Sequence, residues 1–356
     1  MTPLTVWPVH AMPEVHEGDD LARLLVDAMA ASGLALRDGD VLVVSSKVLS
    51  KALGLTRASD RSDRSEAVTD QTVREVARRD GPRGPTVIVE GRAGPVMAAA
   101  GVDASNAPAG EVLLLPEEPD GAARQLRAQI TELAHGVVFG LVVADTAGRP
   151  WRDGVTDFAL GVAGVAPLED LRGRADGHGN VLEVTVRAVA DELAAAADLV
   201  KGKLDGIPAA VVSGADAYVT AEDGPGAAAM LRGRNGAWWE DWFRYGHVEA
   251  VRAALRTGER EPSTTEAATP AVGPETVALR ANRALQLALC ATPGRVTGAL
   301  TEAMGGVVAE LSGGSSYAMG VAVARFHVAL WAEHLVTTAA YDEQMPARFT
   351  IRELVD

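Results

Sequence analysis

Apolar positions recur at helical spacing over 19–33, where Leu21, Leu24, Leu25, Ala28 and Met29 share one face. Asp19 or Asp20 can cap the start of that helix and Gly33 can end it. The turn Asp38-Gly39-Asp40 leads into Val41-Leu42-Val43-Val44, a continuous β-branched run that predicts a buried strand. Helical character continues from Ser45 to Leu53 and would set Lys47 and Lys51 on one face, four residues apart. Residues 58–84 are charged, with Arg-Asp repeats and little apolar period, which predicts a loop and a surface helix. Strands are predicted at 86–90, 96–100, 112–115, 137–144, 181–186 and 207–212, and helices at 120–134 and 188–200. Strand and helix do not alternate evenly enough for parallel crossovers, so the fold class is α+β and not doubly wound.

A Ser-, Thr- and Pro-rich break at 261–270 predicts a flexible linker. It divides the chain into 1–258, a linker at 259–273 and a C-terminal unit at 274–356. Helices near 275–290 and 293–304, with an apolar segment around 317–340, make that last unit small and mainly helical. No chemistry can be assigned to it from sequence.

The chain has 356 residues, 47% of them hydrophobic and only 4% aromatic, so its core is built from Ala, Val and Leu. A net charge of −15 opposes nonspecific binding to nucleic acid or to an anionic membrane. The single cysteine, Cys290, excludes an intrachain disulfide framework and reads as a small core residue. It fits a reducing, cytoplasmic compartment. The chain also lacks the pattern of an export signal and any run of about 18 apolar residues able to span a bilayer.

Among 33 basic residues only Lys47, Lys51, Lys201 and Lys203 are lysines, and they come in two tight pairs beside glycines. A compact ammonium kept in an arginine-rich chain points to phosphate oxygens; leftover surface lysines are the plainer reading. Lys201-Gly202-Lys203 also reads as an ordinary helix C-cap with favourable cations. Two strand ends carry carboxylates on polar turns, Asp103 in 100–106 and Asp145 in 143–154. With the Thr146 hydroxyl they make a ligand set suited to Mg²⁺ or Mn²⁺, though Asp after a strand is also a common turn residue. No Walker or Gly-x-Gly-x-x-Gly pattern is present, and the seven histidines show no zinc-hydrolase spacing. The aromatic cluster from Trp238 to Phe243 reads as a packing or dimer-contact group, and Ser315-Ser316 as a loop.

Six ordered segments, 8–22, 38–54, 100–106, 144–154, 182–203 and 205–212, together resemble the coenzyme F420-0:L-glutamate ligases, the gamma-glutamyl ligases of deazaflavin cofactor biosynthesis. The likeness spans roughly residues 5–255. It implies the family's own α+β fold in an intertwined homodimer. It also implies GTP- and divalent-metal-dependent addition of L-glutamate to F420-0 through an acyl phosphate, with further gamma-linked glutamates as an option and a monovalent cation as an optional helper. By resemblance Met12, Pro13, Glu14, Val15, Ser46, Lys51 and Asn106 fall on the GTP-contacting positions, and Asp103, Asp145 and Thr146 on the metal ligands. Three departures stand out. Lys203 occupies the place of an acidic metal ligand, Ala11 replaces the glycine usual before Met-Pro-Glu, and the tail is too short for a flavin-binding nitroreductase domain, so no FMN is expected. Ligation of another acid, or nucleotide binding without turnover, remain the competing readings.

Overall fold

The computed structural model describes residues 3–58, 61–81, 84–232, 241, 243–255, 276–290, 292–303, 306–340 and 347–353. Trp238, Trp239 and Trp242 and the linker expected at 259–273 lie outside them. In chain order the strands and helices open with β1 (Thr5–Val9), α1 (Leu21–Ala31), β2 (Val41–Ser45), α2 (Ser46–Ala52), β3 (Thr56–Ala58), α3 (Arg61–Asp70), β4 (Thr72–Gly81), β5 (Gly84–Gly91) and β6 (Val96–Ala98). There follow β7 (Glu111–Leu113), α4 (Pro119–Leu133), β8 (Gly140–Arg149), β9 (Arg152–Ala163), β10 (Glu169–Asp170), β11 (Val186–Arg187), α5 (Val189–Lys201) and β12 (Ala209–Ser213). The remainder is α6 (His247–Leu255), α7 (Val277–Cys290), β13 (Val296–Ala303), β14 (Gly306–Gly313), α8 (Ser316–Ala332), β15 (Leu335–Ala340) and β16 (Ala347–Glu353).

The chain divides into two compact units, Met1–Val73 with Glu90–Asp241, and Arg74–Val89 with Trp242–Asp356. The first is built on a five-stranded sheet in the order β1-β12-β2-β8-β9. Only β2 and β8 run parallel; the other neighbours are antiparallel, so the unit is mixed α+β as the uneven alternation predicts. The β-branched run in β2 is fully buried because both faces of the sheet are covered. On one side Leu42, Val44, Leu141 and Val143 pack with Leu25 of α1 and Ile130 of α4; on the other Val41, Val43, Val142 and Ala144 pack against Leu193 and Ala197 of α5. Asp20 caps α1, its carboxylate accepting from the Arg23 amide at 3.0 Å.

The sequence reading of 58–84 as loop and surface helix holds for α3, but β4 is a strand there. Its apolar signal is thin, Val76 being buried among arginines. The strand expected over 181–186 is broken: Val181 makes an isolated bridge with Ala175, and at the other end Val186 begins β11, which pairs with β10.

The C-terminal unit is not mainly helical. The antiparallel sheet β13-β14-β16-β15 carries it, with α7 and α8 supplying the other half of one core around Leu285, Leu311, Phe326, Phe349 and Ile351. The segment expected to be a helix at 293–304 is β13, whose alternating half-buried pattern fits period two. Leu255 of α6 belongs to this core as well. Glu333 is buried there between the Arg252 and Arg283 guanidinium groups at 2.7 and 2.6 Å. Cys290 is exposed, because it is the last residue of α7 and falls off the helix face that packs. Ser315 is the N-cap of α8, where a plain loop is expected.

Candidate functional site

The parallel register of β2 on β8 pairs Ser45 with Ala144, which brings the next residues, Ser46 and Asp145, together at the carboxyl end of the sheet. The Ser46 hydroxyl, almost fully buried, donates to Asp145 Oδ1 at 2.9 Å. Because β2 runs directly into α2, the first two turns of that helix set Ser46, Lys47 and Lys51 at the same strand end. Lys47 donates to Asp103 Oδ2 and to the Ser105 hydroxyl, and reaches the Ser105 carbonyl at 3.2 Å. Lys51 bonds Glu14 Oε1 instead, at 2.5 Å.

Burial pushes the Asp145 carboxyl above the usual carboxylate range, and the nearby Asp103 charge adds to the rise. The Ser46 hydroxyl, the Thr146 amide and the Lys47 charge offset only part of that. At Asp103 burial also acts upward, yet the Lys47 ammonium and the Ser105 hydroxyl and amide prevail, leaving that carboxyl below its ordinary value. A partly buried carboxylate with a second one nearby is a place where added positive charge is favourable. Among the described residues no three His, Cys, Asp or Glu side chains form a ready cage for an ion. Asp103 and Asp145 nevertheless suit a hard divalent cation that takes one or two carboxylates and fills its other positions with phosphate oxygens and water.

Thr146 does not join them. Consecutive strand residues point to opposite faces, so Asp145 lies on the α2 side of the sheet and Thr146 on the α5 side. There its hydroxyl donates to Asp157 Oδ1 at 2.6 Å, across the β8–β9 pairing that sets the two residues opposite each other. Asp157 Oδ2 accepts from Lys201 at 2.7 Å, and both side chains are 4% exposed. Lys203, beyond the helix-ending Gly202 at φ +62°, donates to the Thr146 hydroxyl at 2.5 Å and stands 3.3 Å from both Asp157 Oδ1 and Asp198 Oδ1. Burial raises the Asp157 carboxyl, but the Lys201 charge and the hydrogen bonds from Lys201 and Thr146 bring it below the ordinary range. For Lys203 burial works against the charge, while Asp157 and Asp198 outweigh it and raise the ammonium.

The remaining expected residues differ in exposure. Val15 is buried and Met12 packs against the same core, whereas Pro13 and Glu14 are exposed. Ala11 holds φ +60°, the left-handed conformation in which glycine is at ease, which explains why glycine suits that place. Asn106, at φ +57°, ends the exposed turn that carries Asp103 and Ser105. Asp157, Ser105 and the buried role of Lys201 were not legible as site features. A hairpin signal was available for Asp157, since Gly148 to Gly154 separates two runs that place it opposite Thr146.

The sequence profile of the F420-0:Gamma-glutamyl ligase family matches residues 10–214, the stretch that contains every residue named above. A protein from Archaeoglobus fulgidus named Coenzyme F420:L-glutamate ligase is 42% identical over 227 residues, covering 59% of this chain and 87% of its own length. The Methanopyrus kandleri protein of that name is 41% identical over 242 residues, 64% of this chain and 94% of its own. A third, from Methanothermobacter thermautotrophicus, is 36% identical over 240 residues, with coverages of 64% and 94%. With more than half of its length matched, and the matched half holding the paired lysines and carboxylates at one end of the sheet, the chain belongs to the F420-0:gamma-glutamyl ligase family.

Proposed function

We propose that this chain ligates L-glutamate to coenzyme F420-0 at the expense of GTP, with a divalent ion at Asp103 and Asp145. The observation that supports it most is the convergence of Ser46, Lys47, Asp103 and Asp145 at the end of the parallel β2–β8 pair, in a chain whose relatives carry the ligase name. A carboxylate is a poor acyl donor. Its oxygen therefore attacks the γ-phosphorus of GTP, the bond to the bridging oxygen breaks, and GDP leaves. The glutamate amine then attacks the acyl carbon, inorganic phosphate departs, and the amine proton passes to solvent. Lys51 is released from Glu14 to hold phosphate oxygens, and Met12, Pro13, Val15 and Asn106 frame the nucleotide. A Mg²⁺ or Mn²⁺ ion supplies charge neutralisation for the phosphates.

The net reaction is redox-neutral, so this reading calls for no FMN. It places the protein in the cytoplasm as a homodimer acting on small molecules, with further gamma-linked glutamates as an extension of the same chemistry. Among the described residues no helix is long and apolar enough to cross a membrane. Incubation with F420-0, GTP, Mn²⁺ and L-glutamate should release GDP and add the mass of one or more glutamates to F420-0. No mass gain with Mg²⁺ or Mn²⁺ would refute the reading.

A further inference from the structure

The Thr146 hydroxyl has one proton and gives it to Asp157, so its oxygen can only accept, and what it accepts from is the Lys203 ammonium. A cation therefore already stands at the oxygen that the family resemblance offers to a metal. Its other neighbours are the kind a divalent ion would use, Asp157 Oδ1 and Asp198 Oδ1, each at 3.3 Å. Asp157 is not free to serve elsewhere, because Lys201 holds its second oxygen inside the protein. Thr146 and Asp145, on opposite faces of β8, do not share one ion through their side chains.

We infer that Lys203 is a tethered cation that takes the place of a metal ion at Thr146, leaving this chain a single divalent site at Asp103 and Asp145. This rests on the ligase reading and refines it. The Lys203 side chain is 54% exposed and can turn from its two 3.3 Å contacts toward a phosphate oxygen arriving over the end of the sheet, whereas Lys201, 4% exposed, is enclosed against Asp157. Lys203 then acts directly on substrate phosphate, whereas Asp157 and Lys201 position it and Thr146. A fixed ammonium is present at any metal concentration, so turnover should depend on Mn²⁺ with a single binding step.

The test counts Mn²⁺ ions bound to the full chain by equilibrium dialysis and by electron paramagnetic resonance, with and without a non-hydrolysable GTP analogue. The wild-type protein is expected to bind one Mn²⁺ with an uncoupled spectrum. Lys203→Glu, which restores a carboxylate beside Thr146 and Asp198, is expected to bind two and to show coupling between them. Lys203→Met is expected to keep one ion and to lose on the order of 10²-fold in kcat/KM for GTP, the scale of removing one charge-stabilising donor. Two ions on the wild-type chain, or an unchanged count of one in Lys203→Glu, would overturn the assignment of Lys203 alone. Failure of the wild-type chain to bind Mn²⁺ in either condition would overturn the ligand role of Asp103 and Asp145, and with it the ligase reading.

Discussion

Replacing Lys201 with Met isolates the energetics of the α5 side of the site. The ammonium and the Asp157 carboxylate are each 4% exposed and 2.7 Å apart, so the variant leaves an anion buried without its partner. Breaking such a pair costs about 3–5 kcal/mol. Lys203 lies 3.3 Å from the other Asp157 oxygen and Thr146 still donates to it, which favours the lower end, about 3 kcal/mol, or roughly a hundredfold in the opening equilibrium. Hydrogen exchange read on peptides of β8, β9 and α5 reports this unit by itself, whatever the second unit does. In Lys201→Met/Asp157→Asn the stranded charge is gone, and most of the loss should be recovered. The pH dependence has a definite sign. The Asp157 carboxyl is held below its ordinary value, so the pair contributes above the unfolded carboxylate pKa of about 3.9 and the contribution fades as pH falls through the lower folded value. The gap between wild type and Lys201→Met should accordingly be widest near neutrality and close in acid. A loss under about 1 kcal/mol at pH 7, or a double variant as unstable as the two single losses added, would refute the reasoning.

Lys51→Ala should lower GTP-dependent product formation by at least about 10²-fold while leaving exchange protection of α2 within about twofold, since its partner, Glu14, is exposed. Ala11→Gly removes the strain of a left-handed alanine and adds chain entropy, so stability should rise by no more than about 1 kcal/mol in urea unfolding; a clear loss would show that the methyl group matters. In the C-terminal unit, Glu333→Gln removes the buried carboxylate that Arg252 and Arg283 share and should cost about 3 kcal/mol, measured by exchange on α8 and β16.

The first unit was readable because its elements have unambiguous periods. The β2 run and the α1 and α5 stripes each bury the face their spacing indicates. The C-terminal unit was not, since Ala- and Gly-rich β13 and β14 carry weak alternation in sequence, and the pairing of β13 with β14 and of β14 with β16 reveals them as strands. At the site, individual residue types were legible and their partnerships were not. Lys47 and Lys51 share a short helix, but one meets Asp103 and the other Glu14, a choice made by chain segments about 37 to 56 residues away. For Asp157 the hairpin of β8 and β9 was legible, but its position opposite Thr146 was not, because the register shifts between Gly148 and Arg149 near the turn.

Neighbouring positions on β8 serving opposite sides of one sheet make the site intolerant of length change. One residue inserted or deleted between Gly140 and Asp145 would turn the carboxylate toward α5 and the threonine toward α2, exchanging a cation-seeking oxygen pair for a hydroxyl while any core residue between the change and Asp145 switched sides with them. Substitutions along this strand can be absorbed one at a time, but its residue count cannot drift. Family members that diverge freely elsewhere should keep the spacing from the start of β8 to its Asp-Thr end unaltered.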